Sequence, residues 1–333
     1  MNLLICSLVA AQALFATALL HRYEGWQSHF TYKLKSFRQS LDECAHYLEI
    51  TPEEVSRFVA LKFLTNQNKL KCLVRCAGIN SGWWDDNAGI QGPVIENYFQ
   101  PEYSDVGYHV RTQECLNLKV TTCEDDCSKA YESFLCYFHQ YGTLKCSEEY
   151  IPLAPPEALQ AAVDCINILQ IPPELLEQYS AGDFPDSPAT HCLFRCLYLA
   201  EGLYDRWYGL NLLRFYIRHH RYPSIEFLDA NTKSCTNAAL QEECDECARI
   251  YNARRCFADY GRPGYTNDIL RGASSMVLGP SEIPISIEQM IIEEPLIEEE
   301  PIIPVHTDLL SYSDQEPFGK YRKRSPQYPS LAV

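Results

Sequence analysis

The sequence predicts an all-α protein built from two tandem domains that are stapled by disulfides. The chain has 333 residues, which is room for two domains of ordinary size and additional segments. Its 16 cysteines include two sets with nearly the same spacing, and apolar residues recur at helical intervals around both sets. Duplicated spacing and helical periodicity together predict two copies of one helical unit.

The N-terminus has the features of a secretory signal peptide over residues 1–18. Residues 3–20 are almost wholly apolar, and Ala16-Thr17-Ala18 fits a small-x-small cleavage site, although no Lys or Arg precedes them. A membrane anchor is the alternative, because the run is near the minimum length that spans a bilayer. Cleavage removes Cys6 from the 16 cysteines and leaves 15 in an oxidising compartment. We therefore expect a secreted, extracellular protein with no membrane contact after cleavage.

The first domain is predicted over residues 22–145. From Phe37 to Leu48 the apolar residues fall on one face of a helix. Thr51-Pro52-Glu53-Glu54 predicts the start of the next helix, because Thr is a good N-cap and Pro fits the first helical turn. A longer, well-charged helix is predicted over 124–141.

A helix with two cysteines four residues apart is the hub of each domain. Cys72 and Cys76 lie in the first hub, and Cys192 and Cys196 lie in the second. Such a pair projects from one side of a helix, one turn apart, so each thiol is free to reach a different neighbouring element. We expect each hub helix to be tied to two other parts of its domain.

The second half of the chain repeats this scheme and then changes character. Residues 146–157 are a Pro-rich linker by composition, and the second domain is predicted over 158–271. A second long helix is predicted over 238–260. Residues 272–333 mix Ile, Pro and Glu, so they are predicted to be a mostly disordered acidic tail.

The cysteine spacing shows an internal duplication. Gaps of 27, 3, 38, 11 and 8 residues separate the first set, which is Cys44, Cys72, Cys76, Cys115, Cys127 and Cys136. Gaps of 26, 3, 38, 11 and 8 residues separate the second set, which is Cys165, Cys192, Cys196, Cys235, Cys247 and Cys256. Four of the five gaps are identical, and the hub returns 120 residues later. Spacing alone leaves the pairing open, because six cysteines allow 15 connectivities.

Composition and motifs argue against several functions. A formal net charge of −16 opposes nucleic-acid binding, which needs a basic surface. Cys244-Asp-Glu-Cys247 has no matching second pair for zinc. The paired acids Asp125-Asp126 and Glu242-Glu243 and the histidine pair His219-His220 are predicted to be solvated surface, and no hydrolase or P-loop motif is present. We expect no enzyme, no metal and no cofactor.

The duplicated Cx3C and Cx8C spacing closely resembles that of the insect odorant-binding (pheromone-binding) protein family, over residues 37–142 and 158–261. Two units in one chain resemble its two-domain members in mosquitoes. The resemblance implies a six-helix fold for each domain, with an apolar pocket that binds a small molecule without transforming it. It also implies the disulfides Cys44–Cys76, Cys72–Cys127, Cys115–Cys136, Cys165–Cys196, Cys192–Cys247 and Cys235–Cys256.

Three cysteines are left over by this pairing. They are Cys123, Cys146 and Cys244. A Cys123–Cys146 bridge, which would hold the linker against the first domain, is favoured over a Cys123–Cys244 bridge between domains. Either bridge leaves one thiol, so a homodimer linked by a disulfide is also considered.

The aromatic residues suggest where a pocket would lie. In the first domain we expect Phe134, Phe138 and Trp83 to line it, and in the second domain Phe194 and Tyr198. The predicted ligand is a small hydrophobic molecule of the odorant or pheromone type, and an olfactory receptor or a second copy of the chain is the expected protein partner. A scavenger of small molecules and an extracellular structural or interaction protein are the alternative functions.

Overall fold

The computed structural model describes residues 32–242 and 245–279 of the chain, and this part is mostly helical, which confirms the all-α prediction. The predicted signal peptide, residues 280–333 of the predicted tail and the spare Cys244 lie outside the described residues. Within the described ranges, no helix combines the length and apolar character that crossing a bilayer requires.

The first domain contains six α-helices and short strands. The helices are α1 (Phe37–Tyr47), α2 (Pro52–Ala60), α3 (Asn68–Asn80), α4 (Gly92–Glu96), α5 (Tyr108–Lys119) and α6 (Asp126–Gln140). The strands are β1 (Lys33–Lys35), β2 (Trp84–Asp85), β3 (Gly89–Ile90), β4 (Phe99–Gln100), β5 (Thr143–Leu144) and β6 (Glu149–Ile151). A 3₁₀ turn, Val120–Thr122, follows α5.

The second domain repeats this order and adds a C-terminal helix. Its helices are α7 (Pro155–Leu169), α8 (Pro173–Ser180), α9 (Pro188–Ala200), α10 (Leu212–Arg218), α11 (Ala230–Ala239), α12 (Glu246–Ala253) and α13 (Tyr265–Leu278). The strands β7 (Tyr204–Asp205) and β8 (Gly209–Leu210) form a hairpin, and 3₁₀ turns lie at Ile225–Leu228 and Arg254–Cys256. Helix α13 packs against α7 and α8 and so covers the second domain.

Local sequence signals explain where these helices begin. Helix α2 starts as predicted, because the Thr51 hydroxyl accepts the Glu54 backbone N–H at 3.3 Å and the Glu54 carboxylate accepts the Thr51 N–H at 3.0 Å. Ser36 caps α1 in the same reciprocal way with Gln39. The Asp125 side chain caps α6 by accepting the Ser128 backbone N–H at 2.9 Å. Asp125, one of the paired acids Asp125-Asp126, therefore has a structural role.

The structure corrects three of the predicted boundaries. Residues 272–278, which were assigned to the tail, belong to α13. The predicted linker 146–157 contains β6 and the first turn of α7. The single helix predicted over 238–260 is instead α11, a turn and α12, because the side chain of Asp245 caps a new helix start by accepting the Ala248 N–H at 3.0 Å.

The segments that lead into the two domains pair with each other. Strands β1 and β6 are antiparallel, with Leu34 opposite Tyr150. The backbone N–H of Tyr32, which precedes the first domain, donates to the Ala200 carbonyl of the second domain at 3.0 Å. A Cβ at Gly202 would approach the Tyr32 ring to 2.5 Å, so this close contact requires glycine. Buried apolar residues of both domains form one continuous cluster.

Candidate ligand-binding site

The two hub helices, α3 and α9, are each held by two disulfides. The structure has six disulfides among its described residues, and they are the six pairs that the family resemblance implies. From α3, Cys76 bonds Cys44 of α1 and Cys72 bonds Cys127 of α6. The third bond of this domain joins Cys115 of α5 to α6. These bonds fix the helices that surround each domain centre.

The predicted Cys123–Cys146 bridge is not formed. Both thiols are unbonded, and Cys146 is exposed. Strand β5 pairs with β4, and the Lys145 backbone N–H donates to the Tyr98 carbonyl at 2.8 Å. These bonds hold the chain around Cys146 against the segment that follows α4. Cys123 instead follows the 3₁₀ turn after α5, where its thiol donates to the Lys119 carbonyl at 3.4 Å.

The centre of the first domain is filled by aromatic side chains. The ring centroid of Phe134 lies 4.9 Å from those of Phe37 and Phe63, and 5.7 Å from that of Phe138. Phe134 and Trp83 are fully buried. The three residues predicted to line a pocket here therefore pack in the core, and they line neither of the two cavities described below.

Smaller or polar residues replace three of these aromatics in the second domain. With the offset of 120 residues between the repeats, the equivalents of Trp83, Phe134 and Phe138 are Leu203, Arg254 and Ala258. A cavity of about 240 Å³ is present in this domain. Its wall includes both predicted pocket residues, Phe194 and Tyr198. Further lining side chains are those of Phe215, Phe227, Arg254 and Phe257.

A larger cleft of about 890 Å³ lies between the two domains. The first domain contributes the end of α3 and the β2–β3 hairpin, and the second contributes the segments after α10 and before α13. The chain from Ile151 to Pro155 forms a further wall. Apolar lining comes from Ile79, Trp84, Ile151, Leu153, Pro263 and Tyr265. The sequence pattern of either domain alone does not predict this cleft, because it forms where the two domains meet.

A buried ion pair supports the wall between the cleft and the smaller cavity. Arg218 lines both, and its Nε lies 2.5 Å from a carboxylate oxygen of Glu201, with both side chains nearly inaccessible. Burial alone would lower the pKa of Arg218, but the Glu201 carboxylate raises it above its ordinary value. Arg218 also donates to the Thr266 hydroxyl at 2.8 Å. Its charge is therefore balanced within the protein.

Two histidines line the cleft as neutral groups. Burial, the Arg218 charge and His220 lower the pKa of His219 to about 3, and burial also lowers the pKa of His220. The Arg262 backbone N–H donates to His219 Nδ1 at 3.3 Å. The prediction that this pair is solvated surface was wrong. His219 is the repeat equivalent of Phe99, which is buried, so aligning the repeats could have placed it inside.

The cleft can hold an apolar molecule and offer it the neutral hydrogen-bonding groups of His219 and His220, beside charged side chains. Among the described residues, no group of three or more His, Cys, Asp or Glu side chains is arranged to hold a metal ion. Walls that combine apolar side chains with polar and charged ones suit the two cavities to non-covalent binding of a small molecule.

The comparisons with known proteins agree with this architecture. General odorant-binding protein 99b of Drosophila melanogaster is 25% identical over 113 residues, which cover 33% of this chain and 75% of the relative. General odorant-binding protein 69 of Anopheles gambiae is 24% identical over 201 residues, which cover 57% of this chain and 85% of the relative. No solved structure matches the chain significantly. The model of the PBP/GOBP family matches residues 28–140 and 153–260, most of the chain in two copies, and the protein therefore belongs to the PBP/GOBP family.

Proposed function

We propose that the protein is a secreted carrier that binds small hydrophobic molecules, of the odorant or pheromone type, in the cleft between its domains. Membership of the PBP/GOBP family supports a small-ligand carrier role. The cleft is the observation that supports this proposal most, because its volume of about 890 Å³ lies within the usual range for small-molecule sites. An olfactory receptor or a second copy of the chain stays a predicted partner.

The size and polarity of the cleft are consistent with capture by burial. A ligand that loses about 400 Å² of apolar surface to the cleft gains roughly 10 kcal/mol at 25 cal/mol per Å². The loss of translational and rotational freedom offsets a large part of this gain, which leaves affinities in the micromolar range. Neutral His219 and His220 can form hydrogen bonds with a hydroxyl or carbonyl group of the ligand. A neutral imidazole costs less to remove from water than a charged one.

Displacement of the fluorescent probe N-phenyl-1-naphthylamine from the full chain tests the proposal. Ile79 lies at the cleft and is 49% exposed, so Ile79→Trp should enlarge a side chain that faces the ligand without disturbing the core. We expect saturable binding by the wild type and at least about tenfold weaker binding by Ile79→Trp, which corresponds to about 1.4 kcal/mol. Ile168→Trp is the matched control, because Ile168 is 72% exposed on α7 and does not line the cleft.

Two results would contradict the carrier assignment. One is the absence of probe binding by a chain whose helical circular dichroism is intact, which would favour a structural or interaction role. The other is equal weakening by Ile79→Trp and Ile168→Trp, which would place the probe outside the cleft.

A further inference from the structure

The cavity inside the second domain contains an arginine, Arg254, that has no counter-ion among the described residues. The Arg254 guanidinium carbon lies 4.4 Å from the ring centroid of Phe194 and 4.1 Å from that of Tyr251. These distances are within the range of cation–π contacts. Its Nε is buried without a hydrogen-bond partner, and the side chain forms no salt bridge with any residue that the structure describes. Among the described residues, the N–H donors of this guanidinium therefore have no hydrogen-bond acceptor.

Other cations on this cavity have partners or no charge. Arg218 is paired with Glu201, and Arg262 lies 3.3 Å from a carboxylate oxygen of Asp268. The cavity also has an acidic lining residue, Asp259, but this residue is exposed and makes no ion pair with Arg254. Arg254 is thus a positive charge within an aromatic wall, at a position where the first domain has the fully buried Phe134.

An uncompensated charge at this position is costly unless something else binds it. Arg254 is partly buried, and withdrawing a cation from water is unfavourable in the absence of a hydrogen-bonding or ionic partner. Arginine presents its donors in a planar fork that matches a carboxylate with two parallel hydrogen bonds. The volume of about 240 Å³ corresponds to about eight water volumes, so the cavity suits a molecule of about eight heavy atoms.

We propose that this cavity is a second ligand site, specific for a small organic acid whose carboxylate binds the Arg254 guanidinium. The apolar body of the acid lies among the rings of Phe215, Phe227 and Phe257. This site goes beyond the carrier site in the cleft, because its recognition is ionic and its volume of about 240 Å³ is much smaller than the 890 Å³ of the cleft. The first domain has no equivalent, since Phe134 takes the place of the arginine.

Calorimetric titration of the full chain with hexanoate and hexanamide at pH 7 tests this inference. The two molecules have the same number of heavy atoms and differ in charge. We expect hexanoate to bind at least about tenfold more tightly than hexanamide. Arg254→Gln should remove this preference by weakening hexanoate at least about tenfold, with less than about threefold change for hexanamide. Arg255→Gln is the matched control, because Arg255 is the adjacent arginine and is exposed.

The two sites can be tested separately. Ile79→Trp should leave hexanoate binding unchanged. Arg254→Gln should leave N-phenyl-1-naphthylamine binding in the cleft unchanged, and this unchanged binding also verifies that the Arg254→Gln variant is folded. Equal affinity of the wild type for hexanoate and hexanamide would overturn the inference even if Arg254→Gln failed to fold. Equal losses in Arg254→Gln and Arg255→Gln would overturn it as well.

Discussion

Glu96, the last residue of α4, gives the molecule a pH dependence that can be isolated by one substitution. Its side chain is partly buried where α4 contacts α10 of the other domain, and it lies near the Tyr141 hydroxyl. Burial raises the pKa values of Tyr108, Tyr137 and Tyr216, and the nearby Glu96 carboxylate raises them further. No cation of the described residues acts on the carboxyl group, so burial raises its pKa to about 7, and the Tyr141 hydroxyl opposes this rise.

The direction of the effect follows from proton binding. Between pH 4.5, which is the ordinary pKa of this carboxyl group, and about pH 7, the folded protein holds a proton on Glu96 that the unfolded chain has released. Stability contributed by this group is therefore present below pH 4.5, falls as the pH rises, and reaches its lower level above about pH 7. The difference between the two pKa values corresponds to at most roughly 3 kcal/mol.

Glu96→Gln keeps a side chain that can bond Tyr141 and removes the titration. We expect the variant and the wild type to have a nearly constant stability difference below pH 4.5, and the variant to gain up to about 3 kcal/mol over the wild type by pH 8. Denaturant unfolding between pH 4 and pH 8, with all disulfides intact, measures this difference. Glu114→Gln is the control, since Glu114 is exposed on α5. A stability difference that does not change with pH would refute the raised pKa.

Two further predictions concern the core. Phe134→Ala should destabilise the protein by roughly 3–5 kcal/mol, because it removes a fully buried ring that packs among other rings. Denaturant unfolding followed by the fluorescence of Trp83, whose ring lies 6.2 Å from that of Phe134, measures the loss. The control Tyr47→Ala, at a 73% exposed site, should change stability by less than about 0.5 kcal/mol. Glu201→Gln should cost roughly 3–5 kcal/mol because it leaves Arg218 buried without its carboxylate. Calorimetric melting should show partial recovery in the double variant Glu201→Gln/Arg218→Met, and no recovery would mean that the ion pair is not the source of the loss.

The helical fold could be predicted from the sequence because its strongest signals are local or covalent. The Thr51 capping box predicts a helix start from a few adjacent residues, and the structure confirms it. The two cysteines of each hub lie one turn apart, and the structure connects them to different helices. Boundaries were less predictable where tertiary contacts decide. Residues 272–278 of α13 contain no charged residue that would mark a solvent-facing side of a helix, so their sequence alone does not predict one. They nevertheless belong to α13, which packs against the second domain.

The ligand sites were harder to predict because they depend on how two similar units differ and meet. The aromatic residues around Phe134 looked like pocket lining, but the same size and shape let them fill a core. Comparison of the repeats position by position would have singled out Arg254 as a charge at a core position. The cleft required knowledge of the packing between domains, which neither periodicity nor cysteine spacing contains.

The pairing of β1 with β6 determines where the chain can be divided. Each strand leads into one domain, and the chain at each strand contacts the other domain. Tyr32, directly before β1, packs over Gly202 of the second domain. Ile151 of β6 approaches Gly82 of the first domain, which is the equivalent glycine 120 residues earlier. This is the reciprocal exchange of segments seen in domain-swapped dimers, made here within one polypeptide. A cut within residues 146–157 would separate at least one strand from the surface it covers. The smallest fragment that keeps both exchanged segments and the cleft is thus the tandem pair, not a single repeat.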